Sequence, residues 1–326
     1  MGRWLFRKAD DLLDQLILPS YTWPGYVLRS LSWRKADLAV DMTGRVCLVT
    51  GATAGIGLAT AVGLARLGAT VYIVARNAAK GAQVREQIAA ESGGDDRVRL
   101  VLLDVSDLTA VAQFAAQFQR QETRLDVLIH NASVLLPQRQ FTAAGIEQTL
   151  ATNLLGPFLL THLLTPMLQA SAPARIIWVS SGGMYTQKLD LSLFQAGDRP
   201  YNGTVVYAQT KRAQVVLAEI LAARLAPTGV TVNTMHPGWV DTPGVQTSLP
   251  TFRKVMRLGL RSPRQGADTI IWLAAAPQLD EVSGRFWFDR RERPTHKFYL
   301  RTRSTAVARQ QLWAECERLT QVSDVP

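Results

Sequence analysis

Cysteine and histidine are scarce in this chain of 326 residues, which contains two of the first and four of the second. The two cysteines, Cys47 in a predicted strand and Cys316 near the chain end, form no disulfide framework. This favours a reducing compartment, and we expect a cytoplasmic protein. The histidines are scattered without the spacing of zinc ligands, so we predict no metal site.

Long apolar runs are missing as well. No run approaches the ~18 residues that a transmembrane helix needs, and no secretory signal is recognisable, so we expect neither feature. The composition, 47% hydrophobic and 19% charged, is that of a globular protein able to bury one large core.

Apolar β-branched runs alternate with amphipathic stretches along most of the chain. The runs span 46–50, 71–75, 97–103, 127–130, 175–180 and 230–236, and the amphipathic stretches span 80–91, 108–119, 145–169 and 207–225. Such alternation implies a parallel sheet with helices on both faces. We therefore predict an α/β fold, a Rossmann-type doubly wound parallel sheet in a single domain at 43–288. Helical N- and C-terminal extensions are expected at 1–42 and 289–326.

A glycine-rich turn follows the first predicted strand directly. Residues 50–57 read Thr-Gly-Ala-Thr-Ala-Gly-Ile-Gly and lead into a helix-like stretch. Gly51, Gly55 and Gly57 let the backbone turn tightly and approach a pyrophosphate, whose charge is favoured at a helix N-terminus. Strand, glycine turn and helix in this order predict a dinucleotide site. A glycine turn without a ligand is the alternative for such a motif taken alone.

Tyr207 and Lys211 are four residues apart in a predicted helix, which places both side chains on one face. An ammonium beside a phenol lowers the tyrosine pKa from its usual ~10, so the pair predicts a general acid–base. Tyr185 and Tyr201 are rivals, but neither has a helical lysine at this spacing. We expect Tyr185 to line the substrate pocket instead.

These features, in this order, resemble the short-chain dehydrogenase/reductase family over roughly residues 43–288. The resemblance implies a catalytic group of Asn153, Ser181, Tyr207 and Lys211. It implies a cofactor site formed by Gly51, Thr53, Gly55, Ile56, Gly57, Arg76, Asp104, Val105, Asn131, Tyr207, Lys211, Pro237, Gly238 and Thr242. The segments Ser-Ser-Gly-Gly-Met, Tyr-Ala-Gln-Thr-Lys-Arg and His-Pro-Gly-Trp-Val-Asp-Thr-Pro-Gly resemble one subgroup in particular, dehydrogenase/reductase family member 12.

Two departures from the family pattern bear on the site. His130 and Ser133 stand where the family has asparagine and glycine, on either side of the retained Asn131. Tyr207 follows Ser181 by 26 residues, and 183–204 is predicted to be an insertion beside the active site.

The end of the second strand, Val74-Ala75-Arg76-Asn77, bears on cofactor choice because it lacks the carboxylate that binds the ribose of NAD. Arg76 suits a 2′-phosphate, so we predict NADP in preference to NAD. A solvated surface arginine is the alternative.

The predicted reaction interconverts a carbonyl and an alcohol by hydride transfer, with Tyr207 as general acid–base. The resemblance implies that Lys211 contacts the nicotinamide ribose, Ser181 orients the carbonyl oxygen and Asn153 holds a water. The apolar segment after Pro237, where the family places its lid, suggests a small lipophilic carbonyl or alcohol as substrate, although packing on the core is an equal alternative. Its members are Trp239, Val240, Val245, Leu249, Phe252 and Met256. The resemblance also implies a homodimer or homotetramer formed through the two long helices.

The net charge is +10, and basic residues concentrate in 251–264 and 285–303. Solvated arginines are the preferred interpretation, with an anionic membrane surface or an acidic substrate tail as alternatives. No nucleic acid is expected, since no recognisable binding module accompanies the charge.

Apolar residues at helical spacing, including Leu12, Leu16 and Ile17, mark an amphipathic helix in the N-terminal extension. We expect this stripe to pack on the enzyme core or on a second subunit, and weak peripheral membrane contact is the alternative. Two other functions stay open: a cofactor-binding sensor or scaffold with little catalysis, and a peripheral membrane docking protein.

Overall fold

The computed structural model describes residues 2–94, 96–195, 200–297, 300 and 302–322. Within these residues an eight-stranded sheet has the order β3-β2-β1-β4-β5-β6-β7-β8. Its strands are β1 (Val46–Thr50), β2 (Thr70–Ala75), β3 (Val98–Leu102), β4 (Val127–His130), β5 (Ala174–Val179), β6 (Val230–Met235), β7 (Phe286–Phe288) and β8 (Arg291–Arg293). Neighbouring strands are parallel except for β8, which runs antiparallel to β7. The predicted doubly wound parallel sheet is confirmed, and β7 and β8 extend it beyond the six predicted strands.

Helices connect and flank the strands. They are α1 (Gly2–Gln15), α2 (Ile17–Tyr21), α3 (Trp23–Ser30), α4 (Gly55–Arg66), α5 (Ala78–Ser92), α6 (Leu108–Gln121), α7 (Gln148–Leu150), α8 (Gly156–Ala170), α9 (Gly203–Arg224), α10 (Pro243–Ser248), α11 (Pro250–Met256), α12 (Pro263–Ala275) and α13 (Ala306–Thr320). A π-helical turn, Ala151–Leu155, separates α7 from α8. The predicted insertion contains two 3₁₀ turns, Gly182–Thr186 and Leu191–Phe194, and its residues 196–199 lie outside the described part. No helix within the described residues has the length and apolarity to cross a bilayer.

The core has two layers because the central strands are buried on both faces. Leu48 of β1 packs with Phe158 of α8 and Leu217 of α9 on one side of the sheet. Its neighbours Cys47 and Val49 belong to a second cluster that includes residues of α4 and α12. Continuous apolar runs, rather than alternating ones, are what such doubly covered strands require.

Helix α13 lies over the outside of α8 and α9. Its residues Leu312, Trp313 and Cys316 are buried in the same cluster as those two helices. The Trp313 ring packs edge-on against Phe158, with centroids 5.1 Å apart, and the Arg224 guanidinium lies 3.9 Å from its centroid. The C-terminal helix is therefore integral to the domain.

Charged residues of the two terminal extensions are buried against each other. Asp10, Arg29, Arg261, Asp289 and Arg293 are each at most 5% exposed. Arg261 donates two hydrogen bonds to Asp289, at 2.6 and 2.8 Å, while Arg29 donates to Asp289 at 2.9 Å and to Asp10 at 2.6 Å. Arg293 donates to both oxygens of Asp10, at 2.8 and 2.9 Å. The interpretation of the basic clusters as solvated arginines is therefore wrong for Arg261 and Arg293.

A second buried pair, Lys297 with Asp14 at 2.5 Å, continues this network. Burial by itself raises the pKa of Asp10, but Arg293 and Arg29 outweigh that effect and lower the pKa to about 2. Buried charges that are paired and hydrogen-bonded on both sides are costly to separate, because one partner alone would remain unpaired in a low-dielectric interior. The acids of α1 thus hold the N-terminal extension on the domain.

The N-terminal helices consequently present their apolar side chains outward. Helices α1 and α3 turn Asp10, Asp14, Gly25 and Arg29 toward the domain. The exposed side chains are Leu12, Leu16, Ile17, Leu18, Val27 and Leu31, which we call the outer face. The expectation that the apolar stripe packs on the core is wrong for Leu12, Leu16 and Ile17, because the buried acids of α1 occupy that side. Packing of the stripe on a second subunit stays a prediction.

Candidate active site

The glycine turn between β1 and α4 forms a backbone cradle. Gly51 has a φ of +66°, and a Cβ placed there would lie 2.8 Å from the Cα of Ala132. A Cβ at Gly57 would lie 2.3 Å from the Gly51 carbonyl oxygen. No side chain caps α4, whose N-cap residue is Ala54, so its first N–H groups are available to an anion. These features fit the pyrophosphate of a dinucleotide.

Asn131 fixes this turn from the neighbouring strand. Its Nδ2 donates to the carbonyl oxygens of Thr50 at 2.9 Å and Gly51 at 3.1 Å, and its backbone N–H donates to the Thr50 hydroxyl at 3.0 Å. This is the supporting contact that the resemblance implies. The substituted His130 is a buried neutral side chain whose Nε2 lies 2.7 Å from the Thr161 hydroxyl, and burial lowers its pKa to about 3.

The two predicted adenine-end residues lie side by side after β2 and β3. The Arg76 guanidinium is 3.8 Å from the Asp104 carboxylate, and both side chains are well exposed. Asp104 also accepts hydrogen bonds from the backbone and hydroxyl of Ser106. Exposed ion pairs of this kind contribute little stability, so Arg76 is free to move to a ligand phosphate at small cost.

The loop after β6 returns to the glycine turn. Gly238 has a φ of +78°, a left-handed conformation that lets the loop turn after β6. A Cβ at Gly55 would lie 3.1 Å from the Thr242 side chain, so the start of α4 and the start of α10 face each other. A Cβ at Gly266 would lie 3.2 Å from Ile56 and 3.4 Å from Pro237, so the loop after β6 and the glycine turn are close together.

The structure brings Tyr207 and Ser181 together, although 26 residues separate them. The Tyr207 side chain forms hydrogen bonds with the side chains of Ser181 and Ser133. Ser181 lies two residues after β5 and also accepts from the N–H of Gly183 at 3.1 Å. The adjacent Ser180 is buried and donates to the Lys211 carbonyl at 2.9 Å, so it positions α9, and Ser181 is the serine at the phenol.

Lys211 lies under the tyrosine, fully buried. Its Nζ donates to the Val179 carbonyl at 2.8 Å and is 5.4 Å from the centroid of the Tyr207 ring. Burial raises the pKa of Tyr207 above its ordinary value, even though the hydrogen bonds from Ser181 and Ser133 act in the opposite direction. Burial also lowers the pKa of Lys211 to about 7. The direction for Tyr207 is opposite to the predicted lowering of the phenol pKa, because desolvation by burial outweighs the hydrogen bonds from Ser181 and Ser133.

Asn153 lies in the π-helical turn, a feature that often accompanies functional sites. Its Oδ1 accepts from the Val134 N–H at 2.9 Å, and its Nδ2 donates to the Thr210 hydroxyl at 3.1 Å. Its carbonyl oxygen accepts from Gln214 Nε2 at 2.6 Å. Asn153 therefore ties the loop after β4 to α9, and its part in holding a water stays a prediction.

Two tyrosines bear on the surroundings of the site. Tyr185 is buried and its hydroxyl donates to the Pro294 carbonyl at 2.7 Å, and its part as a pocket wall stays a prediction. Tyr21, which the sequence did not single out, lies against the site: a Cβ at Gly182 would be 2.4 Å from its ring. The Tyr21 ring also packs on Trp239 and on His236, with centroids 5.7 and 4.6 Å away. No local motif marks Tyr21, because its position depends on how α2 folds back.

No group of three His, Cys, Asp or Glu side chains in the described part of the chain is close enough to hold a metal ion. The glycine cradle, Asn131 and the hydroxyl–phenol–amine group all lie at the carboxyl ends of parallel strands, where ligands bind in open α/β sheets. This combination defines a dinucleotide-dependent oxidoreductase.

Comparison with known proteins gives the family. A family model described as short chain dehydrogenase matches residues 45–251, and the chain belongs to the short-chain dehydrogenase/reductase family. It is 41% identical over 303 residues to dehydrogenase/reductase SDR family member 12 of Bos taurus, covering 93% of this chain and 94% of that protein. It is 39% identical over 289 residues to polyprenol dehydrogenase of Mus musculus, covering 85% and 84%. A solved Pseudomonas aeruginosa RhlG/NADP complex matches with a TM-score of 0.62 and 25% identity, over 76% of this chain and 94% of that one.

Proposed function

We propose that the protein is an NADP(H)-dependent oxidoreductase that interconverts a carbonyl and an alcohol on a lipophilic substrate, with Tyr207 as general acid–base. The observation that carries the proposal is the hydrogen-bonded group of Ser181 and Tyr207 above the buried amine of Lys211. This group and the glycine cradle both lie at the carboxyl ends of the parallel strands, where ligands bind in open α/β sheets.

The roles of the side chains follow from their protonation states. When bound, NADPH supplies the hydride that is added to the carbonyl carbon. The raised pKa keeps Tyr207 protonated at neutral pH, which is the form needed to donate a proton to the developing alkoxide. Ser181 donates a hydrogen bond to the same oxygen and orients it. Lys211 would help to hold the nicotinamide ribose and, when protonated, would stabilise the phenolate that remains.

Arg76 supports the preference for NADP. It is exposed at the end of β2, where its planar guanidinium can bind a 2′-phosphate through two hydrogen bonds. The solved relative from Pseudomonas aeruginosa carries NADP in its active site, which agrees with this assignment.

A lipophilic substrate is supported by the segment after β6. Trp239 and Phe252 pack edge to face, with centroids 5.2 Å apart, and both remain partly exposed beside the site. Val240 is buried and a Cβ at Gly266 would be 2.7 Å from it, so this residue packs on the core. Trp239 and Phe252 therefore fit a substrate lid, whereas Val240 fits packing on the core. Polyprenol dehydrogenase, one of the relatives, has a name that denotes a lipid alcohol.

The first experiment is NADPH oxidation by purified protein with a panel of lipophilic aldehydes and ketones. Tyr207→Phe removes the acid and is expected to reduce turnover by roughly a thousandfold while NADPH affinity stays within about twofold. Tyr201→Phe is the matched control, since that hydroxyl bonds to Thr149 and Glu147 instead. Equal activity of the Tyr207→Phe protein and the wild type would refute the mechanism. Tight NADPH binding without turnover on any compound would favour a cofactor-binding sensor.

Association and location remain predictions. Helix α13 covers part of the α8–α9 surface through which the resemblance implies a homodimer or homotetramer, so such an assembly would have to include α13 in its interface. Sedimentation velocity would determine the assembly. A cytoplasmic location is consistent with two buried, unpaired cysteines among the described residues.

A further inference from the structure

The outer face of the N-terminal helices is apolar where a protein surface is normally polar. Helices α1 to α3 bury charged and polar side chains and expose leucine, isoleucine and valine. On α3 the buried Gly25 and Arg29 are one helical turn apart, and Val27 lies on the opposite side of the helix. An amphipathic helix on a water-exposed domain has the reverse arrangement. Exposed apolar side chains concentrated on one short segment mark a surface that a partner or a lipid phase can cover.

The outer face continues onto the loop after α11. The Trp23 indole donates to the Leu258 carbonyl at 2.9 Å, and the Trp23 N–H donates to the Gly259 carbonyl at 3.0 Å. Leu258 is 85% exposed and Val255 is 76% exposed, so the apolar surface extends from α3 to this loop. Trp23, which is amphipathic, lies between the two parts.

Positive charge accompanies this surface. Arg34, Lys254 and Arg257 are exposed and form no ion pair among the described residues. No acidic residue occurs between Asp241 and Asp268 of the sequence. The exposed acid of α1, Asp11, is paired with Arg291. An apolar surface with adjacent unpaired cations is complementary to a bilayer that contains anionic lipid.

Helix α2 connects the outer face with the active site. Ile17 and Leu18 are exposed on one side of it, and Tyr21 is buried at its end against Gly182, the residue after Ser181. The Trp239 N–H donates to the Tyr21 carbonyl at 2.8 Å, which fixes α2 to the start of the apolar segment after β6. The surface and the reacting groups are therefore a few residues apart.

We propose that the outer face, with Trp23, Leu258 and their neighbouring cations, docks the protein on the surface of an anionic bilayer. The contact is peripheral, and it places the active site next to the lipid phase. The part of this inference that concerns substrate rests on the proposed function: a lipophilic carbonyl or alcohol would reach Tyr207 from the membrane. A second copy of the chain would also cover an apolar face, but it would have to accommodate the unpaired cations of both copies.

Cosedimentation of the full chain with vesicles tests the contact without reference to catalysis. Vesicles of phosphatidylcholine alone are compared with vesicles that also contain phosphatidylserine, at low and high salt. The wild type is expected to bind the anionic vesicles and to be released as salt screens the charges. Leu18→Ser with Leu258→Ser is expected to lower the partition coefficient roughly tenfold or more. Phe141→Ser with Val307→Ser is the matched control, since it removes two other exposed apolar side chains elsewhere on the surface.

A charge-reversal pair tests the second half of the argument. Lys254→Glu with Arg257→Glu is expected to weaken binding to anionic vesicles roughly tenfold or more, while binding to phosphatidylcholine changes little. Arg85→Glu with Arg120→Glu makes the same change in net charge on α5 and α6 and is expected to bind as the wild type does.

Several outcomes would overturn the proposal. The first is a wild type that does not sediment with anionic vesicles at low salt. The second is equal binding of the wild type to vesicles with and without phosphatidylserine. The third is a loss of binding in a control variant as large as that in the matching surface variant. A dimer that Leu18→Ser with Leu258→Ser dissociates, without vesicle binding, would assign the face to a second copy instead.

Turnover is then measured on a water-soluble and on a vesicle-embedded carbonyl. The surface variants are expected to lose only the second activity. Vesicle binding with no turnover by any protein would contradict the proposed function and leave the membrane contact standing.

Discussion

Replacing Lys211 by methionine should stabilise the protein at neutral pH while it abolishes turnover. The pKa of Lys211 falls from the ordinary 10.5 to about 7 because the amine is buried. At about 1.4 kcal/mol per pKa unit, a charged lysine in the unfolded chain and a half-neutral one in the fold differ by about 4 kcal/mol at pH 7. Methionine occupies a similar volume but leaves the Val179 carbonyl without its donor, a loss of about 1–3 kcal/mol. The expected net gain in the free energy of unfolding is therefore about 1–3 kcal/mol.

The pH dependence of this gain gives a stricter test. Since the folded-state pKa is the lower one, the unfolded chain binds more protons between pH 7 and pH 10.5, and the wild type becomes more stable as the pH rises through that window. Methionine has no proton to bind, so the advantage of the variant should shrink by about 1.4 kcal/mol per pH unit above pH 8.

Urea unfolding of both proteins at several pH values, without cofactor, measures the difference. Lys80→Met, at an exposed position, is the control and should show neither the gain nor the trend. A variant less stable than the wild type at pH 7, or a difference that stays constant with pH, would refute the account of Lys211 as a desolvated amine.

Three further predictions concern the cofactor and the ion network. Arg76→Ala should weaken NADPH binding roughly 10- to 100-fold in a fluorescence titration and leave NADH binding nearly unchanged, because it removes hydrogen bonds to a phosphate; equal losses for both cofactors would contradict this. Gly57→Ala should abolish cofactor binding in the same titration, since its Cβ would lie 2.3 Å from the Gly51 carbonyl oxygen; normal affinity would refute the cradle. Asp289→Asn should lower the free energy of unfolding by about 3–5 kcal/mol in urea, because Arg29 and Arg261 lose a buried counter-charge; Asp280→Asn, at a more exposed pair with Arg175, should cost much less.

The parallel sheet could be predicted from sequence because each of its six long strands has a local apolar pattern. Runs such as 71–75 and 127–129 are apolar throughout, a pattern typical of strands that are buried on both faces. The glycine turn marks where the first strand ends. The proximity of Ser181 and Tyr207 could also be predicted, because Ser181 follows a strand at its carboxyl end and the family resemblance pairs it with the tyrosine. Strand β8 could not be predicted in this way, because Arg291-Glu292-Arg293 at the sheet edge is charged and has no apolar pattern.

The protonation states could not be predicted from spacing. Tyr207 and Lys211 are on one helix face, as expected, but the depth of burial decides the sign of each pKa shift. Burial depends on helices and loops distant in sequence, among them the segment around Ser133. The substitution of serine for the family's glycine there turned out to supply a second hydrogen bond to the Tyr207 phenol.

The N-terminal extension shows why an amphipathic pattern alone does not say which side of a helix faces the protein. Leucines of α1 would stabilise the domain through burial if they faced it, at roughly 2 kcal/mol each. Instead the chain buries Asp10 and Asp14, whose desolvation is compensated by Arg293 and Lys297 from the other end of the chain. Such an arrangement gives up apolar burial within the domain and keeps an apolar surface available outside it. Covering the outer face would recover the hydrophobic free energy that the domain gives up. Because cations adjoin this face, an anionic lipid surface is the cover that fits it best.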